Sequence, residues 1–492
     1  MSSPAVHTPS GRETALIAVG QAAIMVFGAA LALLVAQLFG KSADTDAFLA
    51  AYGVYSLGLT FSQSFRLTAM SALVADPGDA TITRLLGASV LIAFALAIPM
   101  VFGAPLVAAA LVGDDPTGIA TESLRVLWAA ITGQLVASMA SAVLTVRGSM
   151  RAVAFASMAV GAVSIGTFAL LESGSGIRAA PIGLAIGSLW YAATLVLVLL
   201  RGGWRPRGAS RALIRTIASE AGRLGFASAM FLSTTLLYVV CMGFATRRGT
   251  GEATLFAYAY VLMAILLGLT ANVAGMAQSA AVIARDDRQD ETAAAALATT
   301  RLTLVLAAPA LAAVTSCGAP AVNWVLGSGF SEADVRDLLL TAVGLSGWLL
   351  ASAVGVFAVV ELLARHALRP LAAAAIVQAT MIFPAAAAGS ATGGILGIAI
   401  GLSAVSLAAN GVLVRVAFGP ERARAVLRGT AAGTGRELAL VLVAFSLPVA
   451  AATLAGGGAW LLVAGAGSLA LAAAGTRLAW PAEWRILRSA IR

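Results

Sequence analysis

Long apolar runs separated by short polar segments fill almost the whole chain. A helix that crosses a membrane needs about 20 mostly apolar residues, and on that criterion the pattern predicts fourteen transmembrane helices. The polar connections are too short to fold as separate soluble domains. The expected spans are 14–39, 46–75, 85–112, 122–146, 152–171, 179–200, 217–246, 253–283, 302–326, 337–364, 371–388, 394–416, 437–455 and 459–479.

The composition agrees with this pattern. Of the 492 residues, 60% are hydrophobic and 11% are charged, which is typical of a polytopic membrane protein rather than a soluble one. The net charge of +9 could indicate nucleic-acid binding. However, the basic residues lie in short connections between apolar runs, so a partner of that kind is not expected.

The distribution of the basic residues predicts the orientation. Cytoplasmic connections carry an excess of arginine and lysine, and most basic residues here fall on the side of the N-terminus. Both termini are therefore expected in the cytoplasm, with the chain in a bacterial cytoplasmic membrane. The few basic residues expected on the other side are Lys41, Arg125, Arg178, Arg247, Arg248 and Arg336.

A pattern of residues in the first six spans recurs in the next six. At an offset of 208, Phe48 and Tyr52 match Phe256 and Tyr260, and other matches follow in the same order. Six is an even number, so both repeats should enter the membrane in the same direction, related by an axis along the membrane normal. The other matches include Thr83-Arg84-Leu85 with Thr300-Arg301-Leu302, Gly103-Ala104-Pro105 with Gly318-Ala319-Pro320, Gly113 with Gly327, Gly183 with Gly397, and Gly187 with Gly401.

The predicted fold is therefore an all-α polytopic membrane protein built from two six-helix lobes and two further helices. The N-terminal lobe is expected at 1–215 and the C-terminal lobe at 216–420. The C-terminal helix pair and tail are expected at 421–492.

Arg66 lies deep inside a predicted span, at least nine residues from either end, whereas every other basic residue lies between spans or within six residues of a span end. A charge at that depth costs about 2.5 kcal/mol or more, so such residues usually face a bundle interior or a watery cavity, or extend to the membrane surface. Ser62 and Gln63 lie one turn away on a shared face, which favours a cavity-lining role. Gln134, Asn272, Gln278 and Gln378 are other polar groups within spans, and each could bind a ligand or a neighbouring helix.

Residue patterns typical of catalysis are missing from the sequence. It has no hydrolase elbow, no metal-binding cluster and no carboxylate pair placed for acid–base chemistry. Gly40-Lys41-Ser42 ends like a phosphate-binding loop, but the glycine needed five residues earlier is Val35. We therefore expect neither an enzyme nor a bound cofactor.

Several short motifs resemble the MurJ (MviN) lipid II flippase family of the multidrug/oligosaccharidyl-lipid/polysaccharide (MOP) exporter superfamily. They are Leu38-Phe39-Gly40, Asp46-Ala47-Phe48, Tyr258-Ala259-Tyr260, Gly329-Phe330-Ser331 and Arg369-Pro370. The resemblance implies a flippase of peptidoglycan biosynthesis that moves a lipid-linked anionic cell-wall precursor across the bilayer by alternating access. Because the sequence has no nucleotide site, an ion gradient or the membrane potential would drive transport, and a monovalent cation is the candidate coupling ion.

The sequence departs from this family where its cationic pocket is expected. Leu31, Gly53 and Val261 stand where members usually carry arginine, and Tyr55 stands where they carry proline. Two alternatives therefore remain open: a multidrug or small-molecule exporter of the same superfamily, or a non-transporting scaffold in cell-envelope assembly. The candidate substrate-binding residues are Arg66, Gln63, Ser62, Tyr52, Tyr260, Asn272, Gln278 and Gln134.

Overall fold

A computed structural model gives the structure of most of the chain, and every regular element in the residues it describes is a helix. The described residues are 20, 23, 27–28, 30–76, 78–113, 115, 117–205, 215, 218–219, 229–268, 289–327, 329–365, 367–454, 464, 467–472 and 474. The helices are α1 (Ala30–Phe39), α2 (Ala43–Ala75), α3 (Asp79–Val101), α4 (Ala104–Val112), α5 (Ile119–Val146), α6 (Met150–Ser175), α7 (Ala179–Arg201), α8 (Ala229–Thr246), α9 (Glu252–Leu267), α10 (Gln289–Leu326), α11 (Glu332–Gly344), α12 (Ser346–Ala364) and α13 (Leu368–Leu454).

Six helical segments within the described residues are long and apolar enough to cross a membrane. Two of them, Met150–Arg201 and Leu368–Phe445, have 52 and 78 residues, which is more than one span requires. The chain is thus an all-helical, multi-pass membrane protein, as the apolar pattern predicts. The number of fourteen spans stays a prediction, and the last of them, 459–479, lies largely outside the described residues.

The chain forms two compact units. Unit 1 comprises Met1–Val35, Ser42–Thr254 and Arg365–Pro384, and unit 2 comprises Ala36–Lys41, Leu255–Ala364 and Ala385–Arg492. Inside unit 1, α2 packs against α5 and α8, and α7 packs against α5 and α6. Inside unit 2, α10 packs against α11 and α12.

Glycines that match in the repeat make the same kind of contact in each unit. A Cβ atom added to Gly183 in α7 would lie 2.6 Å from the backbone oxygen of Ser164 in α6. In unit 2, a Cβ atom on Gly397 would lie 2.1 Å from the backbone oxygen of Gly389. Only a residue without a side chain allows this approach, so the repeated glycines mark close helix pairs.

Two helix breaks fall at glycines that match in the repeat. Gly103 separates α3 from α4, so the predicted span 85–112 consists of two helices. Its match, Gly318, interrupts α10 with φ 55° and ψ −140°. Gly113 and Gly327, which end these segments, have φ angles of 73° and 91°, a conformation that favours glycine.

A third break has no glycine–proline signal. The predicted span 337–364 is interrupted at Leu345, between α11 and α12. The Ser403 hydroxyl donates to the Gly344 carbonyl at 2.6 Å and accepts from the Trp348 amide at 3.0 Å. One side chain thus satisfies two backbone groups that the break leaves without helical partners.

The α13 helix differs from the predicted spans after residue 416. The connection expected at 417–436 is helical, with a kink at Gly419, where φ is 78°. An earlier kink at Gly393 and Gly394 falls in the predicted turn between 388 and 394.

Asp46 joins two positions that the repeat makes equivalent. Its buried carboxylate accepts hydrogen bonds from the amide nitrogens of Gly251 and Thr254 and from the Thr254 hydroxyl at 2.6 Å. Thr254 lies 208 residues after Asp46. The carboxylate therefore caps the first turn of α9 from a distant part of unit 1, and its negative charge suits a helix N-terminus.

We expect Gly397→Ala to lower the thermal unfolding temperature of the detergent-purified protein. The new methyl group would overlap the Gly389 carbonyl, and such overpacking typically costs about 1–3 kcal/mol. Gly411→Ala is the matched control, because Gly411 lies in the same helix with nothing within 4 Å of its added Cβ. Alanine forms helix better than glycine, so the control should be neutral or stabilising. Equal effects of both changes would refute the close contact.

Removing the Asp46 cap should also destabilise the fold. Asp46→Ala leaves the first turn of α9 without a charged acceptor, which typically costs about 1.5–3 kcal/mol. The measurement is thermal unfolding in detergent, with Asp44→Ala as the control because Asp44 is a partly exposed carboxylate in the same turn of α2. An unfolding temperature for Asp46→Ala equal to that of the control would contradict the capping role.

Candidate functional site

Arg66 points toward helices of unit 1. Its Nη1 donates to the Ser141 hydroxyl of α5 at 3.3 Å, and the guanidinium interacts electrostatically with Tyr191 of α7. The Tyr191 hydroxyl in turn lies 2.9 Å from the Ser157 hydroxyl of α6. A positive charge thus lies beside α5 and α7 of the unit, bonded to a neutral hydroxyl of α5.

A second polar cluster lies between α2, α5 and α7. The Gln134 side chain donates to the Ser188 hydroxyl at 3.1 Å, and the Tyr55 hydroxyl lies 3.5 Å from the same oxygen. Of the two roles that the sequence leaves open for Gln134, the structure shows the bond between helices. Tyr52 stacks at an angle on Tyr55 and Phe48, with ring centroids 5.5 and 6.1 Å away.

The other candidates on α2, Ser62 and Gln63, have weaker support as substrate-binding residues. Ser62 is buried, and its hydroxyl donates to the Leu59 carbonyl of its own helix at 2.7 Å. A serine bonded in this way within a helix needs no ligand to satisfy it. The side chain of Gln63 is not among the described ones.

Tyr260 belongs to unit 2. Its ring packs on Trp348, with centroids 4.6 Å apart and planes inclined by 39°. Asn272 and Gln278 lie outside the described residues. The structure therefore groups Arg66, Tyr52 and Gln134 in unit 1 and places Tyr260 in an aromatic pair of unit 2.

The structure explains why no arginine is accommodated at residue 53. A Cβ atom on Gly53 would already lie 3.2 Å from the ring of Tyr238 in α8. Tyr238 is buried, as are Leu31 and Tyr55. A side chain at residue 53 would therefore have to displace the Tyr238 ring.

Several polar residues of unit 1 had no signal in the sequence. Ser141 and Tyr191 beside Arg66 are ordinary serine and tyrosine residues of apolar spans. The Ser233 hydroxyl donates to the side-chain oxygen of Gln378 at 3.0 Å, and the Thr235 hydroxyl donates to Thr60 at 2.8 Å. Only proximity in the fold distinguishes these residues from others of their kind.

Within the part of the chain that the structure describes, no three histidine, cysteine, aspartate or glutamate residues come together as metal ligands would. Cys241 is a buried free thiol.

Comparison with known proteins gives matches in structure alone. No protein-family model matches the sequence, and no curated protein matches it. Among solved structures, the lipid II flippase MurJ in an inward closed conformation is similar with a TM-score of 0.70 at 15% identity, covering 95% of this chain and 98% of MurJ. The eukaryotic MATE transporter AtDTX14 is similar with a TM-score of 0.62 at 13% identity, covering 86% of this chain and 98% of that protein.

A MOP superfamily transporter from Pyrococcus furiosus also matches, with a TM-score of 0.55 at 14% identity, and the match covers 88% of this chain and 99% of that one. Identities this low establish a common fold and nothing finer. The likeness to the MurJ flippases that the sequence motifs indicate is thus confirmed as a likeness of fold, which this chain shares with MurJ and the MATE transporters.

Proposed function

We propose that the protein is a flippase-type transporter that moves a lipid-linked anionic cell-envelope precursor across the cytoplasmic membrane by alternating access. The cargo would be lipid II or a related polyprenyl-linked saccharide. Arg66 carries this proposal, because it places a permanent positive charge beside the α5 and α7 helices of unit 1. The fold shared with MurJ and the MATE transporters supports the transport class.

The physical requirement comes from the head group. A pyrophosphate loses strong hydration when it leaves water, and it can do so only where charged hydrogen-bond donors replace that water. A guanidinium is suited to phosphate oxygens because its N–H groups form a fixed, planar fork. The Ser141 hydroxyl accepts from Arg66, and a neutral acceptor of this kind orients a guanidinium without cancelling its charge.

The proposed architecture follows the sequence repeat: two lobes of six helices, at 1–215 and 216–420, and a helix pair at 421–492. A polar path would open to one side of the membrane at a time, as in other transporters built from repeats. The head group would pass beside Arg66 while the polyprenyl tail stays in the lipid. A monovalent cation moving down its gradient would supply the energy.

A second candidate function is export of a small amphipathic or cationic compound. The packing of Tyr238 against Gly53 favours it, because that contact excludes a cationic side chain at this point of unit 1. The MATE transporters of the same fold include one described as a multidrug resistance transporter.

Replacing Arg66 should separate these functions. We expect Arg66→Ala to weaken binding of lipid II and of undecaprenyl phosphate by at least about tenfold, equivalent to about 1.4 kcal/mol, while Arg66→Lys keeps part of the affinity. Binding would be measured by native mass spectrometry on the full chain in detergent. Arg84→Ala is the control, since Arg84 lies at the start of α3 and donates to Thr81 there.

Each other outcome has its own meaning. Lipid binding that is unchanged in Arg66→Ala would refute the role of Arg66. Drug export from cells that persists without Arg66, together with no lipid binding, would support the small-molecule exporter. If the protein shows neither lipid binding nor drug export, the result would support a non-transporting scaffold in cell-envelope assembly.

A further inference from the structure

A cleft of about 290 Å³ opens at one end of unit 1, away from Arg66. It lies between the first turn of α5, the last turn of α6 and the first turn of α7. Glu122, Ser123 and Arg178 supply its polar lining, and Val126 and Ile182 supply apolar lining. The charge bias of the sequence predicts that these helix ends face away from the cytoplasm.

Two opposite charges meet at the mouth of the cleft. The Arg178 Nε lies 2.7 Å from the Glu122 Oε2, and both side chains are about half exposed. A second nitrogen of Arg178 donates to the Thr117 carbonyl at 3.1 Å, which holds the guanidinium in place. An exposed ion pair of this kind gains little stability, so a ligand that offers two matching charges can replace it at low cost.

The floor of the cleft carries a polar group that lacks a partner. Ser123 is 1% exposed, and its hydroxyl forms no hydrogen bond within the described part of the chain. Elsewhere in unit 1, buried serines such as Ser64 and Ser89 bond a carbonyl of their own helix. Buried hydroxyls are nearly always bonded, so the Ser123 hydroxyl at the cleft is available to donate to a ligand.

Apolar surface continues from the cleft along the membrane direction. Ile186 lies one helical turn beyond Ile182 on α7 and is 44% exposed, and Leu170 lies one turn before Gly174 on α6 and is 82% exposed. In a membrane protein these side chains face hydrocarbon. A molecule with its polar part in the cleft could therefore lay an alkyl chain over them.

We infer that the cleft binds the headgroup of a zwitterionic phospholipid with a protonated amine, such as phosphatidylethanolamine. Its ammonium group replaces Arg178 as the partner of Glu122, and its phosphate accepts from Arg178 and from the Ser123 hydroxyl. An anionic headgroup alone would be repelled by Glu122, and a cation alone by Arg178. This lipid site is separate from Arg66 and does not depend on the transport function proposed above.

Native mass spectrometry of the delipidated full chain, with single lipids added back, tests the inference. Phosphatidylethanolamine should bind at least tenfold more tightly than phosphatidylglycerol, which lacks the amine. Glu122→Gln should remove most of this preference, because Glu122 contacts the amine that distinguishes the two lipids. Arg178→Gln and Ser123→Ala should each weaken phosphatidylethanolamine binding, because both residues contact the phosphate. Arg125→Gln is the matched control, because Arg125 is an exposed arginine of the same turn of α5 that does not line the cleft.

Two further controls distinguish binding of the whole lipid from binding of its headgroup alone, and distinguish the cleft from the Arg66 site. Glycerophosphoethanolamine, the headgroup without chains, should bind far more weakly than the lipid, and Arg66→Ala should bind phosphatidylethanolamine normally. Equal binding of phosphatidylglycerol, or a phosphatidylethanolamine affinity that survives all three cleft substitutions, would overturn the inference. Competition by a neutral saccharide such as N-acetylglucosamine, with no effect of the lipid, would also overturn it.

Discussion

The structure depends on close backbone-to-backbone contact between helices at positions where glycine leaves no side chain between them. Lipid tails are as apolar as leucine, so burying apolar side chains contributes little to helix association inside a membrane. Close packing of the helix backbones must supply that stability instead. Gly183 and Gly397 meet this requirement at equivalent places, where the neighbouring helix brings a carbonyl oxygen within 3 Å of the missing Cβ. The sequence repeat therefore places a glycine at a close backbone contact in each of these two helix pairs.

The same apolar surroundings restrict how the helices can break. A backbone amide or carbonyl that loses its helical partner has no water to bond, so the break persists only where a side chain replaces the partner. Ser403 does this for the break at Leu345 by bonding Gly344 and Trp348. Asp46 plays a related part at the start of α9, where a carboxylate satisfies free amides that point toward it.

Features that depend on local sequence could be predicted, and features that depend on distant contacts could not. Apolar runs give the helices, and the repeated Gly-Ala-Pro signals at 103–105 and 318–320 fall where the long segments are interrupted. The break at Leu345 has no such signal, because the residue that stabilises it lies 55 or more residues later in the chain. The inward direction of Arg66 could be expected from the cost of burying a charge, but its partners Ser141 and Tyr191 could not.

The position of Arg66 limits what this chain can share with the MurJ flippases. Gly53, where the resemblance leads one to expect an arginine, precedes Arg66 by thirteen residues on the same helix, or about 20 Å at 1.5 Å per residue. One guanidinium cannot reach over that distance, so Arg66 does not replace the missing charge at the same depth. At residue 53 itself, the Tyr238 ring packs against the glycine. If an anionic head group crosses this protein and meets Arg66, that contact therefore lies at a different level of the membrane from residue 53, beside α5 and α7.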